Sequence, residues 1–162
     1  MTLSVGDTLP DATLLRVGAE GPEQVQMSDL IAGKKVAIFG LPGAYTGTCT
    51  SAHLPSFIRT KDAFASKGVD EIICVSVNDP FVMDAWGEST GGKAAGIHML
   101  GDASSAFTKA IGMNWTAEAV GFFDRSRRYA MFLDDGVVKV LNVEEGPGVC
   151  EVSAGETLLD AI

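Results

Sequence analysis

Leu41-Pro42-Gly43-Ala44-Tyr45-Thr46-Gly47-Thr48-Cys49-Thr50 is a turn-rich stretch that separates two apolar patterns of different period. Before it, Val36-Ala37-Ile38-Phe39 is continuously apolar, as a strand buried on both faces is. After it, Leu54, Phe57, Ile58 and Phe64 recur at helical spacing, and Gly68 is placed to end the helix. The stretch therefore predicts a strand, a loop and a helix, with Cys49 delivered to the helix start. Unpaired N–H groups and the positive end of the macrodipole favour a thiolate there. A small buried thiol is the alternative reading of a single cysteine. The surroundings argue for a nucleophile: Pro42 stiffens the strand exit, Gly43 and Gly47 allow close backbone approach, and the Thr46 and Thr48 hydroxyls are able to cap the helix or reach the sulfur.

Working outward, the helix is expected over about residues 50–67, with Pro55 early enough to be tolerated. Glu71-Ile72-Ile73-Cys74-Val75-Ser76-Val77 reads as a second buried strand, completing a βαβ unit. Asn78-Asp79-Pro80 opens a helix carrying Phe81, Val82, Ala85 and Trp86. A short strand over 97–100 and a helix over 103–111 follow, and 113–124 has no assignment. Tyr129-Ala130-Met131-Phe132-Leu133 and Val137-Val138-Lys139-Val140-Leu141 flank an Asp-Gly turn and predict a hairpin. Ser153-Ala154-Gly155-Glu156 matches a capping box ahead of a terminal helix. Upstream, the expectation is a strand over 13–17, a polar loop over 18–23, a short strand at Val25-Gln26-Met27 and a helical turn at Ser28-Asp29-Leu30. The order β-α-β-α, an insertion, then β-β-α predicts an α/β, thioredoxin-like fold. It would have a mixed central sheet flanked by helices, an N-terminal extension and an inserted strand-helix, as a single domain over 1–162. Cys49 would lie at the carboxyl end of the parallel strands, where such sheets hold their sites.

A chain of 162 residues, 46% hydrophobic, with a formal charge of −9 and no basic stripe, is not built to bind nucleic acid or an anionic membrane. No apolar run approaches membrane-spanning length, and the first ten residues have neither a basic leader nor an apolar core, so a cytoplasmic protein is expected. Cys49, Cys74 and Cys150 are too few and scattered for a disulfide framework, and no Cys-x-x-Cys suggests a dithiol oxidoreductase. His53 falls four residues after Cys49, on the same helix face. That pair could be half a metal site or a thiol-hydrolase dyad, but His98 and Cys150 offer no paired ligand spacing and no oxyanion motif is evident. A packing or helix-start role for His53 is the simpler reading, and no metal site is expected.

Pro42-x-x-x-Thr46-x-x-Cys49 resembles the Pro-x-x-x-Thr-x-x-Cys signature of the peroxiredoxins, and Pro42-Gly43-Ala44-Tyr45-Thr46 resembles their type II, peroxiredoxin-5-like branch. The likeness continues through Gly6-Asp7-x-Leu9-Pro10, His53-Leu54-Pro55, Ser76-Val77-Asn78-Asp79-Pro80-Phe81, Asp84-Ala85-Trp86, Arg128 before an aromatic strand start, and Asp135-Gly136-Val137-Val138-Lys139. It implies reduction of hydrogen peroxide and alkyl hydroperoxides through a sulfenic acid on Cys49, with no metal and no other cofactor. Thr46 would hydrogen-bond the sulfur and the incoming peroxide, Pro42 would shield the site from water, and Arg128 would complete the pocket. Arg125 and Arg127 compete for that last role, and only the family pattern selects Arg128. Gly47 stands where the branch usually has proline, which loosens the loop without abolishing activity.

The resolving thiol stays open: an external one (glutathione, glutaredoxin or thioredoxin) is ranked first, Cys150, about two residues early for a C-terminal resolving position, second, and Cys74, mid-strand, third. The branch also implies a homodimer, with Tyr45, Phe81 and Trp86 near the pairing face by loop logic, unless they simply pack in the core. The competing reading is a thioredoxin-like redox-sensing or metal-binding module without turnover. The set Thr46, Cys49 and Arg128 argues against it, because a sensor has less need to stabilise a leaving group.

Overall fold

The computed structural model describes residues 2–162. Strand β3 (Lys35–Leu41) is buried at every position after Lys35 because both its faces are covered. Val36 and Ile38 enter one core layer, whereas Ala37, Phe39 and Leu41 enter the other. It pairs in parallel with β4 (Glu71–Ser76), which pairs in parallel with β5 (His98–Gly101). On its other side β3 is antiparallel to β8 (Tyr129–Asp134), which forms the expected hairpin with β9 (Val137–Val143). The N-terminal hairpin, β1 (Thr13–Gly18) and β2 (Gly21–Gln26), adds to the β5 edge and completes a seven-stranded mixed sheet, β2-β1-β5-β4-β3-β8-β9. This is the thioredoxin-like α/β arrangement with an N-terminal extension.

Helices cover both faces. Helices α2 (Leu54–Ser66), α3 (Pro80–Thr90) and α5 (Gly155–Asp160) bring Phe57, Phe64, Trp86 and Leu158 into the same core layer as Phe39, on which Phe57 stacks. The opposite layer takes Met27 and Ile31 from α1 (Met27–Ile31) and Phe107 from α4 (Ala106–Ala110), around Ile38, Val75 and Leu100. Helix α5 docks on α2 so closely that a Cβ at Gly155 would lie 2.6 Å from both the Ser56 carbonyl oxygen and Thr60 Oγ1.

Several expectations are corrected. The helix expected from residue 50 opens instead as a π-helical turn, Cys49–His53, in which Leu54 N–H donates to the Cys49 carbonyl five residues back. Pro55 explains the widening, since its ring crowds the carbonyl four residues earlier and it has no N–H to donate. The polar loop expected over 18–23 shrinks to a turn at Ala19-Glu20, and its second half belongs to strand β2, an edge strand whose one buried side chain is Val25. Helix α4 starts at Ala106 because Ser105 is left-handed and Asp102 accepts from the backbone N–H groups of Phe107 and Thr108. The unassigned stretch is a third hairpin, β6 (Asn114–Ala117) and β7 (Phe122–Ser126). Ser153 does not cap α5: its hydroxyl donates to Glu144, and Glu156 pairs with Arg59.

Candidate active site

The β3–β8 register sets Gly40 opposite Tyr129, so the preceding residue, Arg128, arrives where β3 ends and the Cys49 loop begins. Its Nη2 donates to Cys49 Sγ at 3.2 Å and to the Pro147 carbonyl at 2.8 Å. Both residues are buried, Cys49 at 0% exposure and Arg128 at 2%. Arg128 Nη1 lies 3.0 Å from His53 Nδ1, and His53 Nε2 lies 3.0 Å from the Ser153 carbonyl oxygen. A carbonyl only accepts, so Nε2 carries the ring proton and Nδ1 is the acceptor for Arg128. Burial, and then the guanidinium charge, outweigh the Ser153 carbonyl and push the His53 pKa down to about 3. His53 is thus a neutral ring holding the guanidinium, more than the packing residue expected. Sequence signalled only its place on the Cys49 face, because its partners come from β8 and the C-terminal loop.

Thr46 does not bond the sulfur. Its hydroxyl donates to the Gly43 carbonyl at 2.7 Å, which spends its one proton inside the turn and leaves lone pairs to accept. Pro42 and Thr46 line an open cleft of about 280 Å³ together with Arg128, Pro147 and two side chains of the β6–β7 hairpin, Trp115 and Phe122. Arg125 holds that hairpin wall to the cysteine loop: Nη1 donates to the Pro42 carbonyl at 3.1 Å, and the guanidinium lies over the Phe122 ring at 4.9 Å. Gly43 leaves room for this contact, since a Cβ there would sit 2.5 Å from Arg125 Nη1 and make the guanidinium shift. Arg127 turns instead to the Glu144 carbonyl, so of the three arginines Arg128 alone reaches Cys49.

The loop is fixed from the β4 side too. Asn78 Oδ1 accepts from Ala44 N–H and from the Ser76 hydroxyl, and Trp86 Nε1 donates to Thr50 Oγ1. Trp86 is core, while Tyr45 and Phe81 are 56% and 62% exposed. The other cysteines are free thiols. Cys74 is fully buried in β4, where desolvation first and the neighbouring Cys49 second push its thiol well up. Cys150 is half-buried, and that burial raises its thiol as well. Among the described residues no three His, Cys, Asp or Glu side chains converge as metal ligands, and both His53 nitrogens are already engaged.

A family model described as Redoxin matches residues 4–159. The chain is 48% identical to the chloroplastic peroxiredoxin-2E-2 of Oryza sativa subsp. japonica, over 99% of this chain and 73% of the relative. The chain belongs to the peroxiredoxin family. Peroxiredoxin-2C of the same organism is 44% identical over 99% of this chain and 98% of its own length, which puts this peroxiredoxin in the type II branch. Among solved structures, reduced Prx3 of Vibrio vulnificus in complex with H2O2 matches with a TM-score of 0.90 at 49% identity, covering 99% of each chain. As a peroxiredoxin the protein is a thiol-dependent peroxidase.

Proposed function

We propose that Cys49 is the peroxidatic thiolate, that Arg128 and Thr46 orient the peroxide, and that an external thiol completes the cycle. The observation that carries this reading is the 3.2 Å contact between Cys49 Sγ and Nη2 of Arg128, a residue that lines the cleft. The thiolate attacks one peroxide oxygen and forms an S–O bond. The O–O bond breaks, and the other oxygen leaves with the electron pair and takes up a proton as water or an alcohol. Sulfur is oxidised by two electrons and the peroxide is reduced by two. Negative charge moves from sulfur to the departing oxygen, so the fixed Arg128 donor stabilises the transition state without reorganising. Thr46, with its proton committed to Gly43, accepts the peroxide O–H and aligns the O–O bond. The sulfenic acid is then attacked by an external thiol, giving a mixed disulfide and water, and a second thiol releases Cys49.

Glutathione with glutaredoxin, or thioredoxin, fits the reductant role, because Cys74 is sealed in the sheet and Cys150 shows no bond toward Cys49. The apolar wall of Trp115 and Phe122 suits alkyl hydroperoxides as well as hydrogen peroxide. A homodimer is proposed through Tyr45, in the cysteine loop, and Phe81, at the start of α3, two segments that the Ala44–Asn78 bond draws together, and a reducing cytoplasm is the proposed setting. The test is reaction of the reduced protein with one equivalent of peroxide, read by intact mass. A gain of one oxygen on Cys49, lost in Cys49→Ser, is expected; if Cys49 reacts no faster than a free thiol, the assignment fails.

A further inference from the structure

The chain beyond β9 returns over the active site as a loop, residues 144–153, and its carbonyl groups meet the catalytic turn at three points. The Pro147 carbonyl accepts from Arg128 Nη2, the Gly148 carbonyl from Thr48 Oγ1 at 3.1 Å, and the Ser153 carbonyl from His53 Nε2. Two of these hold the guanidinium, one directly and one through the imidazole. The loop is closed on itself by a single carboxylate. Glu144 Oε2 accepts from Glu151 N–H at 2.8 Å, from Ser153 N–H at 2.8 Å and from the Ser153 hydroxyl at 2.6 Å. The backbone of the same residue continues the sheet beside Arg128, with Glu144 N–H donating to the Arg128 carbonyl at 2.9 Å.

We propose that Glu144 is a positioning residue for peroxide reduction, closing loop 144–153 so that the Pro147 and Ser153 carbonyls aim Arg128 at Cys49. A buried carboxylate with a purely local role would be an expensive way to close a surface loop, because one left unpaired is strongly disfavoured. Glu144 is 4% exposed. Burial pushes its pKa up, yet the Ser153 hydroxyl and the N–H groups of Ser153, Glu151 and Val152 outweigh that and leave the carboxyl below the ordinary glutamate range. The group is therefore ionised throughout the neutral range and makes strong, charge-assisted bonds at both ends of the loop's last turn. A guanidinium has five donors but no preference of its own among nearby acceptors. Here two fixed carbonyls, one acting through His53, select the rotamer that leaves Nη2 on the sulfur.

The inference rests on the roles proposed for Cys49 and Arg128, and a double-mutant cycle separates the two levels. The readout is the second-order rate of Cys49 oxidation by hydrogen peroxide, followed by stopped flow on the reduced protein. Glu144→Ala is expected to lower the rate about tenfold in the native background, and Glu144→Gln, which keeps an acceptor oxygen, only a few-fold. In an Arg128→Gln background Glu144→Ala is expected to change the rate less than twofold, since residues acting as one unit are non-additive. The same fold loss in both backgrounds, or a native-background rate within twofold of wild type, overturns the proposal. If Glu144→Ala does not fold, the cycle is run with Glu144→Gln and read by the same criterion of additivity. An Arg128→Gln protein as fast as wild type would instead sink the role of Arg128, independently of Glu144.

Discussion

Arg128 touches Cys49 through the same nitrogen that the Pro147 carbonyl holds, so the guanidinium is aimed at the sulfur by backbone on its far side. Nη1 is separately committed to His53. A lysine ammonium has three donors but no planar fork, and it cannot reproduce those contacts in that geometry. Arg128→Lys is therefore expected to slow Cys49 oxidation by peroxide about a hundredfold, the usual cost of losing a fixed donor at a developing charge. Stopped-flow rates on the reduced protein check this. A lysine variant at the wild-type rate would show that charge alone matters, and the fork geometry would lose its role.

His53 makes stability depend on pH. Its folded pKa is about 3 and its ordinary value 6.5. Between those limits the unfolded chain binds a proton that the folded chain refuses, so stability rises with pH across the window and is lost as pH falls from 6.5 toward 3. The full span corresponds to roughly 5 kcal/mol at about 1.4 kcal/mol per pH unit. Urea midpoints between pH 7.5 and 4.5 should therefore fall steeply in the wild type and less steeply in His53→Gln. Equal slopes in the two proteins would mean that other groups carry the acid sensitivity.

How far sequence reaches depends on whether a residue's partners are local. Strands β3 and β4 were legible because burial on both faces makes them continuously apolar, and Cys49 was legible because the turn residues before it are its own neighbours. Strand β2 was only half legible: its inner end, Val25-Gln26, was expected as strand, whereas Gly21 to Glu23 has no buried side chain and reads like a loop. The β6–β7 hairpin packs as a two-stranded flap, with little burial to impose a period. Ser153 obeyed a local capping pattern, yet a carboxylate nine residues upstream competes for its hydroxyl and wins. His53 and Glu144 act through contacts 75 and 9 residues away, which no spacing rule anticipates.

The thiols differ enough in environment to predict which are dispensable. Cys74 is sealed in the sheet with its thiol pushed well up, and Cys150 is half-buried and also raised. Neither is poised as a thiolate near neutral pH. Cys74→Ala and Cys150→Ala should each sustain peroxide consumption with glutathione and glutaredoxin, or with thioredoxin, within about twofold of wild type. Intact mass should show an oxidised Cys49 and no internal disulfide. A disulfide that disappears only in Cys150→Ala would make Cys150 the resolving thiol and require loop 144–153 to open during turnover.

Trp115 and Phe122 meet edge to face at 6.0 Å, and Arg125 ties the Phe122 ring to the Pro42 carbonyl beside the nucleophile loop. The wall lines the same cleft as Arg128 and Thr46, between which the reacting oxygens are proposed to sit. Hydrogen peroxide is too small to reach both regions, but the organic group of an alkyl hydroperoxide must lie against the wall. Trp115→Ala should therefore raise KM for cumene hydroperoxide about tenfold, the effect of losing one substantial apolar contact. Its kcat/KM for hydrogen peroxide should change less than twofold. Equal losses for both peroxides would mean that the hairpin orients the catalytic loop through Arg125. In that case Arg125→Ala, which leaves Trp115 in place, should reproduce the uniform loss.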